Sequence, residues 1–372
     1  MATDNTTYTP FRPVHPCEII KGEIKARSMT QKELAHRMGM QTSNLSRLLK
    51  GENLTIATAQ KLEEALDIPA DFWMRLQAQY DKDLKTVAAR NEVERKAIAA
   101  ESILANTLNL NELYKRLNIS SSAFVNEKLL LLEDLLGFDP QAILSKDFSK
   151  SLKYNYKKSD KNEVDEKNQL TWLTLAYIES RRNSPGKPFV QGNAQLAAQE
   201  IATKVHSEGI RESDIKSILN SFGIAYSVVP KLEKTPIDAA SMSLRDYPAI
   251  ITTHRFNDMS RLVFNVLHEL GHIEKHLPGD NSEVFVSGDS YSSDSQKERE
   301  ANDFAQEILI SKKLWNSMMD SSSIGGIRYG NIVEKLRALS EENNLNPDIV
   351  IWRWKYESQI FQLKGTRPAP IK

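Results

Sequence analysis

The chain has 372 residues, 40% of them hydrophobic and 26% charged, and its 49 basic and 49 acidic side chains cancel. At about 100 to 200 residues per domain, this length predicts two or three domains of ordinary globular composition. The single cysteine, Cys17, excludes an internal disulfide or a cysteine-cluster metal site and fits a reducing cytosol, so any metal must rely on His and carboxylate ligands.

Residues 1–10 are polar and predict a frayed tail without a basic-then-apolar leader. From Glu18 to Tyr80, short apolar-periodic segments separated by Gly, Asn, Thr and Pro predict about five short helices in a domain spanning 11–80. Within it, TQKELAHRMGMQTSNLSRLLKG (30–51) holds two helical patterns joined at Gly39. Leu34, Ala35 and Met38 face inward on the first, Leu45 and Leu48 on the second, which is helix-turn-helix spacing. Ala35 is small where the helices cross, and Gly39 is free to adopt a left-handed turn. The outer face of the second helix then carries Gln41, Thr42, Ser43, Asn44 and Arg47, side chains able to hydrogen-bond base edges, with Gln31 and Lys50 flanking them. Residues 21–50 hold seven Lys or Arg against two Glu, whereas 51–80 hold two against five acidic residues. The local asymmetry suits phosphate attraction, with Lys21, Lys25, Lys32 and Lys50 as backbone contacts.

A plain helical bundle with a solvated basic face satisfies the same periodicity. The run HPCEIIKGEIKARSMTQKELAHRMGMQTSNLSRLLKGENLTIATAQKLEEALDIPADFWMRLQAQYD resembles HigA-type antitoxins of the XRE class over nearly its whole length. Cys17 departs from that pattern, which commonly has Gly after His-Pro. The resemblance implies a homodimer on a palindromic operator in double-stranded DNA, autoregulation, and a toxin partner.

Residues 81–105 lack Gly and Pro and show only a narrow apolar stripe, predicting a linker helix. The stretch 106–190 reads as a helical middle region built from NELYKRL, SAFVNEKLLLLEDLLGF and QLTWLTLAYIESRR around an exposed charged segment, KKSDKNEVDEKN. Its greasiest run, 129–136, is interrupted by Glu133 and Asp134, so a cytoplasmic protein with no membrane segment is expected. In 191–372, FGIAYSVVP and YPAIITT read as strands ahead of a helix containing HELGHIEKH (268–276). The expected fold is mainly α with an α+β C-terminal domain carrying a small sheet.

HELGH fits HExxH. His268 and His272 are one helical turn apart on one face, where both reach a single ion. Glu269 then approaches a metal-bound water and takes its proton for attack on a peptide carbonyl. A catalytic zinc needs a third protein ligand, and EREANDFAQEILI (298–310) offers it. If that segment is a helix, Ala301, Phe304, Ala305, Ile308 and Leu309 form its buried stripe, and Glu298 lies nearer the stripe than Glu300 or Glu307. Asn302, one turn on, accepts a hydrogen bond from the non-ligating nitrogen of a zinc-bound His. Otherwise Glu298 is one carboxylate of a charged helix start. His254, Arg255 and Tyr291 are open choices for stabilising an oxyanion. His276 reads as a partly exposed helix-end residue, and His15, His36 and His206 give no signal.

HELGH followed by E-x-x-A-N-x-F-A, with the surrounding residues 190–360, resembles the ImmA/IrrE family of zinc metallopeptidases. The resemblance implies a zincin-like domain with zinc on His268, His272 and Glu298, and Glu269 as catalytic base. Joined to the N-terminal module, it implies a regulator that cleaves a protein, whether repressor, toxin or itself. The alternative is a non-proteolytic antitoxin or repressor whose peptidase-like domain senses a ligand or binds a partner. A free-standing degradative protease leaves the operator-reading module without purpose.

Overall fold

The computed structural model describes residues 12–144, 165–276, 284–287, 296–320, 332–363, 365–367 and 369–371, with the backbone alone for 284–287. The tail expected at 1–10 and residues 157–164 of the charged segment lie outside them. Two compact units form: Met1–Ala99 with Phe124–Asn126, and Ala100–Ala123 with Glu127–Lys372. Among the described residues no helix is long and apolar enough to cross a membrane.

The first unit comprises α1 (Pro16–Ala26), α2 (Gln31–Arg37), α3 (Thr42–Leu49), α4 (Ile56–Leu66) and most of α5 (Ala70–Leu104). A capping box starts α2: the Glu33 N–H donates to Thr30 Oγ1 at 3.2 Å, and the Thr30 N–H donates to the Glu33 carboxylate at 2.7 Å. Gly39 ends the turn before α3 at φ +56°, where a side chain is strained. Leu34, Ala35, Met38, Leu45 and Leu48 all enter one core with Ile20, Leu62, Leu66 and Trp73. Each buried Leu contributes roughly 1.5–3 kcal/mol. Four short helices and the start of a long one replace the expected five, because nothing between 70 and 104 breaks a helix. The linker helix expected at 81–105 is the later part of α5.

The second unit begins with the last turn of α5 and continues with α6 (Leu110–Arg116), α7 (Val125–Leu136) from Glu127 on, a 3-10 turn (Pro140–Leu144) and α8 (Glu166–Arg182). Then come α9 (Asn193–Ser207), α10 (Glu212–Ser221), β1 (Ala225–Val228), β2 (Ala239–Ser243), β3 (Pro248–Thr252) and α11 (Met259–Lys275). It closes with β4 (Val284–Ser287), α12 (Gln296–Leu309), α13 (Lys312–Met318), α14 (Ile332–Glu342) and α15 (Pro347–Ser358). The sheet order is β1-β3-β2-β4, with β1 and β3 parallel and β2 antiparallel to both its neighbours.

Alternation divides the sheet's side chains between two cores. Ala225, Ala240, Ala249 and Ile251 face one side, buried under Leu113, Leu132, Leu136 and Trp172 from α6 to α8. Tyr226 and Ile250 face the other, packed with Ile201, Ile215, Val263 and Leu267 from α9 to α11. The helices of 106–190 therefore are not a separate middle region. They cover the far face of the sheet, which is apolar on both sides and would otherwise meet water. The Trp172 indole fixes this layer by donating to the Val229 carbonyl at 2.9 Å.

Asp258 caps α11 by accepting from the backbone N–H groups of Ser260 and Arg261. From Leu262 to Ile273 this helix is almost wholly buried. A Cβ at Gly271 would stand 3.0 Å from the Cα of Ala301, so this glycine is what lets α12 approach.

Candidate functional site

Helix periodicity brings the His268 and His272 rings together, with their Nε2 atoms 3.0 Å apart. The close crossing at Gly271 then delivers Glu298 from the first turn of α12. One Glu298 oxygen lies 3.2 Å from His268 Nε2 and the other 3.3 Å from His272 Nε2. Four ligands held tetrahedrally at zinc distances of about 2.0–2.1 Å stand about 3.3 Å from one another, so these separations fit one ion. Among the described residues this trio forms a group able to hold a metal, its ligand atoms all within 4.8 Å of one another.

His268 Nδ1 lies 3.0 Å from Asn302 Oδ1, an acceptor, so the ring proton sits on Nδ1 and the Nε2 lone pair faces the Glu298 oxygens. Lone pair and carboxylate directed at one point suit a bound cation. Burial opposes charge on Glu298, but the facing His268 and His272 rings outweigh it and hold the carboxylate well below its usual range. Burial dominates at His272 and lowers its pKa to about 4, keeping that ring neutral. At His268 burial also lowers the pKa, but the bond to Glu298 and the charges of Glu269 and Glu298 reverse the sign.

Glu269 is fully buried, and its Oε2 accepts a 2.6 Å hydrogen bond from Ser241 Oγ on β2. Ser241 projects from the sheet face that carries α11, opposite to Ala240 and Met242, which enter the other core. His276 is not the partly exposed helix-end side chain expected. Its ring is only 5% exposed, with Nδ1 3.1 Å from His272 Nδ1 and Nε2 2.9 Å from Glu300 Oε2. Of the oxyanion candidates, His254 bonds Glu212 at 2.7 Å and Arg255 bonds Asp238 at 3.4 Å, while Tyr291 lies outside the described residues.

In the first unit, Gln31, Gln41, Thr42, Ser43, Asn44, Arg47 and Lys50 are all exposed, as are Lys21, Lys25 and Lys32. The Arg47 guanidinium is tethered only at the surface, donating to Asn44 Oδ1 at 3.3 Å and pairing with Glu52 at 3.6 Å. Residues 20–73 match the helix-turn-helix family. Over 74 residues, 20% of this chain and 70% of the relative, the chain is 36% identical to Antitoxin HigA-1 of Vibrio cholerae. By this module the chain belongs to the HigA antitoxin family. It is a DNA-binding helix-turn-helix regulator, antitoxin-like in its first unit.

Cys17, the departure from the HigA-type pattern, lies in the first turn of α1, its thiol buried and its N–H donating to His15 Nδ1 at 3.0 Å. Sequence reasoning missed Ser241 and the His276–Glu300 pair. Ser241 carries a faint signal, a hydroxyl in the buried alternation of AASMS. The other signal is the third histidine, four residues beyond His272.

Proposed function

We propose that the protein is an operator-binding regulator whose second unit is a zinc-dependent endopeptidase of the ImmA/IrrE kind. The observation that carries this reading is the convergence of two imidazoles and one carboxylate, all buried, beside a second buried carboxylate that is no member of the trio. His268, His272 and Glu298 would hold the zinc, which when bound would supply Lewis-acid polarisation of a peptide carbonyl and lower the pKa of a bound water. Glu269 is the group that receives the proton of the attacking water and returns it to the departing amine. Ser241 fixes the carboxylate orientation for that exchange by holding Oε2. Asn302 holds His268 in the tautomer that ligates.

On this reading the first unit positions the protein on a palindromic operator as a homodimer, and the substrate is a protein bound in the same regulatory circuit, a toxin or a repressor. The burial of Glu269 and its bond to Ser241 favour one other reading, in which the metal is structural and the unit senses a ligand or binds a partner without cutting it. Co-expression with the product of the neighbouring gene separates the two. Purified wild type is expected to carry about one zinc per chain, and Glu269→Gln to keep that zinc while abolishing cleavage seen by intact mass. Wild-type protein without zinc rejects the metal centre. The same cleavage pattern with wild type and with Glu269→Gln rejects the peptidase.

A further inference from the structure

His276 and Glu300 have no place in the ligand set or in the proton transfer, yet the fold encloses the His276 ring. The backbone of His276 is at the open C-terminal end of α11, where a side chain normally turns to water, but its ring stays 5% exposed. Two bonds engage the ring. Glu300 is a carboxylate, an acceptor alone, so the 2.9 Å contact requires a proton on His276 Nε2. His276 Nδ1 faces His272 Nδ1 at 3.1 Å, where its lone pair can accept the His272 Nδ1 proton. With its Nδ1 protonated, His272 has one lone pair left, on the Nε2 that faces Glu298. These contacts allow the assignment in which His272 keeps its Nε2 lone pair toward Glu298, the tautomer that binds a cation.

We infer that the His276–Glu300 pair is a second positioning device of the metal centre, acting on His272 as Asn302 acts on His268. It rests on the zinc reading above. Both devices come from α12, since Asn302 and Glu300 stand on the same helix as the ligand Glu298. One crossing thus supplies the third ligand and orients the other two. The relay through His276 reaches farther than Asn302 does, because the second ligand lies one turn deeper along α11 and its Nδ1 meets α12 through the His276 ring. Gln296 steadies the outer end by donating to Glu300 Oε1 at 2.8 Å.

The experiment is zinc affinity measured by chelator competition on the full chain, with the visible spectrum of the cobalt-substituted protein as a second readout. His276→Ala removes the acceptor for His272 and is expected to weaken zinc 10- to 100-fold, roughly the loss found when outer partners of metal-bound His are removed. His276→Asn offers an amide oxygen where Nδ1 stood and is expected to recover most of that loss. Glu300→Ala alters a surface side chain, tests the outer end should His276→Ala fold poorly, and is expected to weaken zinc several-fold and shift the cobalt spectrum. Wild-type affinity and an unchanged spectrum in both alanine variants would overturn the relay while leaving the metal centre standing. A wild-type protein that takes up neither metal removes the zinc reading, and the relay with it.

Discussion

His206 shows how little an isolated residue discloses in sequence. In the fold its Nε2 lies 2.8 Å from the Leu309 carbonyl and its Nδ1 accepts from the Asn346 N–H at 3.1 Å, joining α9 to the end of α12 and the cap of α15. Both ring nitrogens are committed, so the ring is neutral. Burial lowers its pKa below the ordinary 6.5, against the smaller opposing effect of the Leu309 bond. The sign follows from linkage: below pH 6.5 the unfolded chain binds a proton that the folded ring refuses, so stability falls as pH drops from 6.5 toward the lower folded value. His206→Gln is expected to cost about 1 kcal/mol at pH 8, the size of one buried hydrogen bond, and to flatten the loss between pH 6.5 and 5. Denaturant melts of wild type and variant across that range measure both. An equally steep loss in the variant places the acid-sensitive group elsewhere.

At the scale of elements, the crossing of α11 and α12 organises the second unit. Gly271→Ala sets two effects against each other. Alanine stabilises a helix interior by about 1 kcal/mol over glycine, while forcing extra volume into a packed contact costs about 1–3 kcal/mol. The neighbour is the Ala301 backbone at 3.0 Å, which moves only with the whole of α12, so the steric effect wins. Net destabilisation of about 1 kcal/mol is expected, together with weaker zinc binding, since Glu298 and Asn302 ride on the displaced helix. An unchanged or raised melting temperature with wild-type zinc affinity contradicts this. Strands behaved differently from helices. Tyr226 and Ile250 lie in segments whose β-branched and aromatic residues announce strands, and both segments form them. The central strand β2 reads AASMS, small residues with weak strand preference, and passed unrecognised. Its pairing with β3 and β4 makes it a strand, and no local signal carries that information.

Across the whole chain, the helix-turn-helix and the His268–His272–Glu298 cluster belong to different units, and on the proposed reading their residues are expected to fail separately. Arg47 makes only exposed contacts within the protein, so its loss costs little stability. Arg47→Ala is expected to weaken operator binding by about 1–3 kcal/mol, the worth of a bidentate guanine contact, and to leave zinc content unchanged. Gel-shift titration with metal analysis on the same sample checks this, and undiminished affinity moves Arg47 off the interface. Short-range periodicity made several features legible along the chain alone. These are the inward residues of the helix-turn-helix, the shared face of His268 and His272, and the inward placing of Glu298 and Asn302 on one helical stripe. Helix geometry repeats every 3.6 residues, so side chains one turn apart are neighbours whatever the rest of the chain does. Folding alone brought Ser241 onto Glu269, turned His276 inward to Glu300, and laid the helices of 106–190 over the sheet. Each of these joins residues distant along the chain, and such contacts are fixed by which buried surfaces and polar groups must be satisfied together when the layers close.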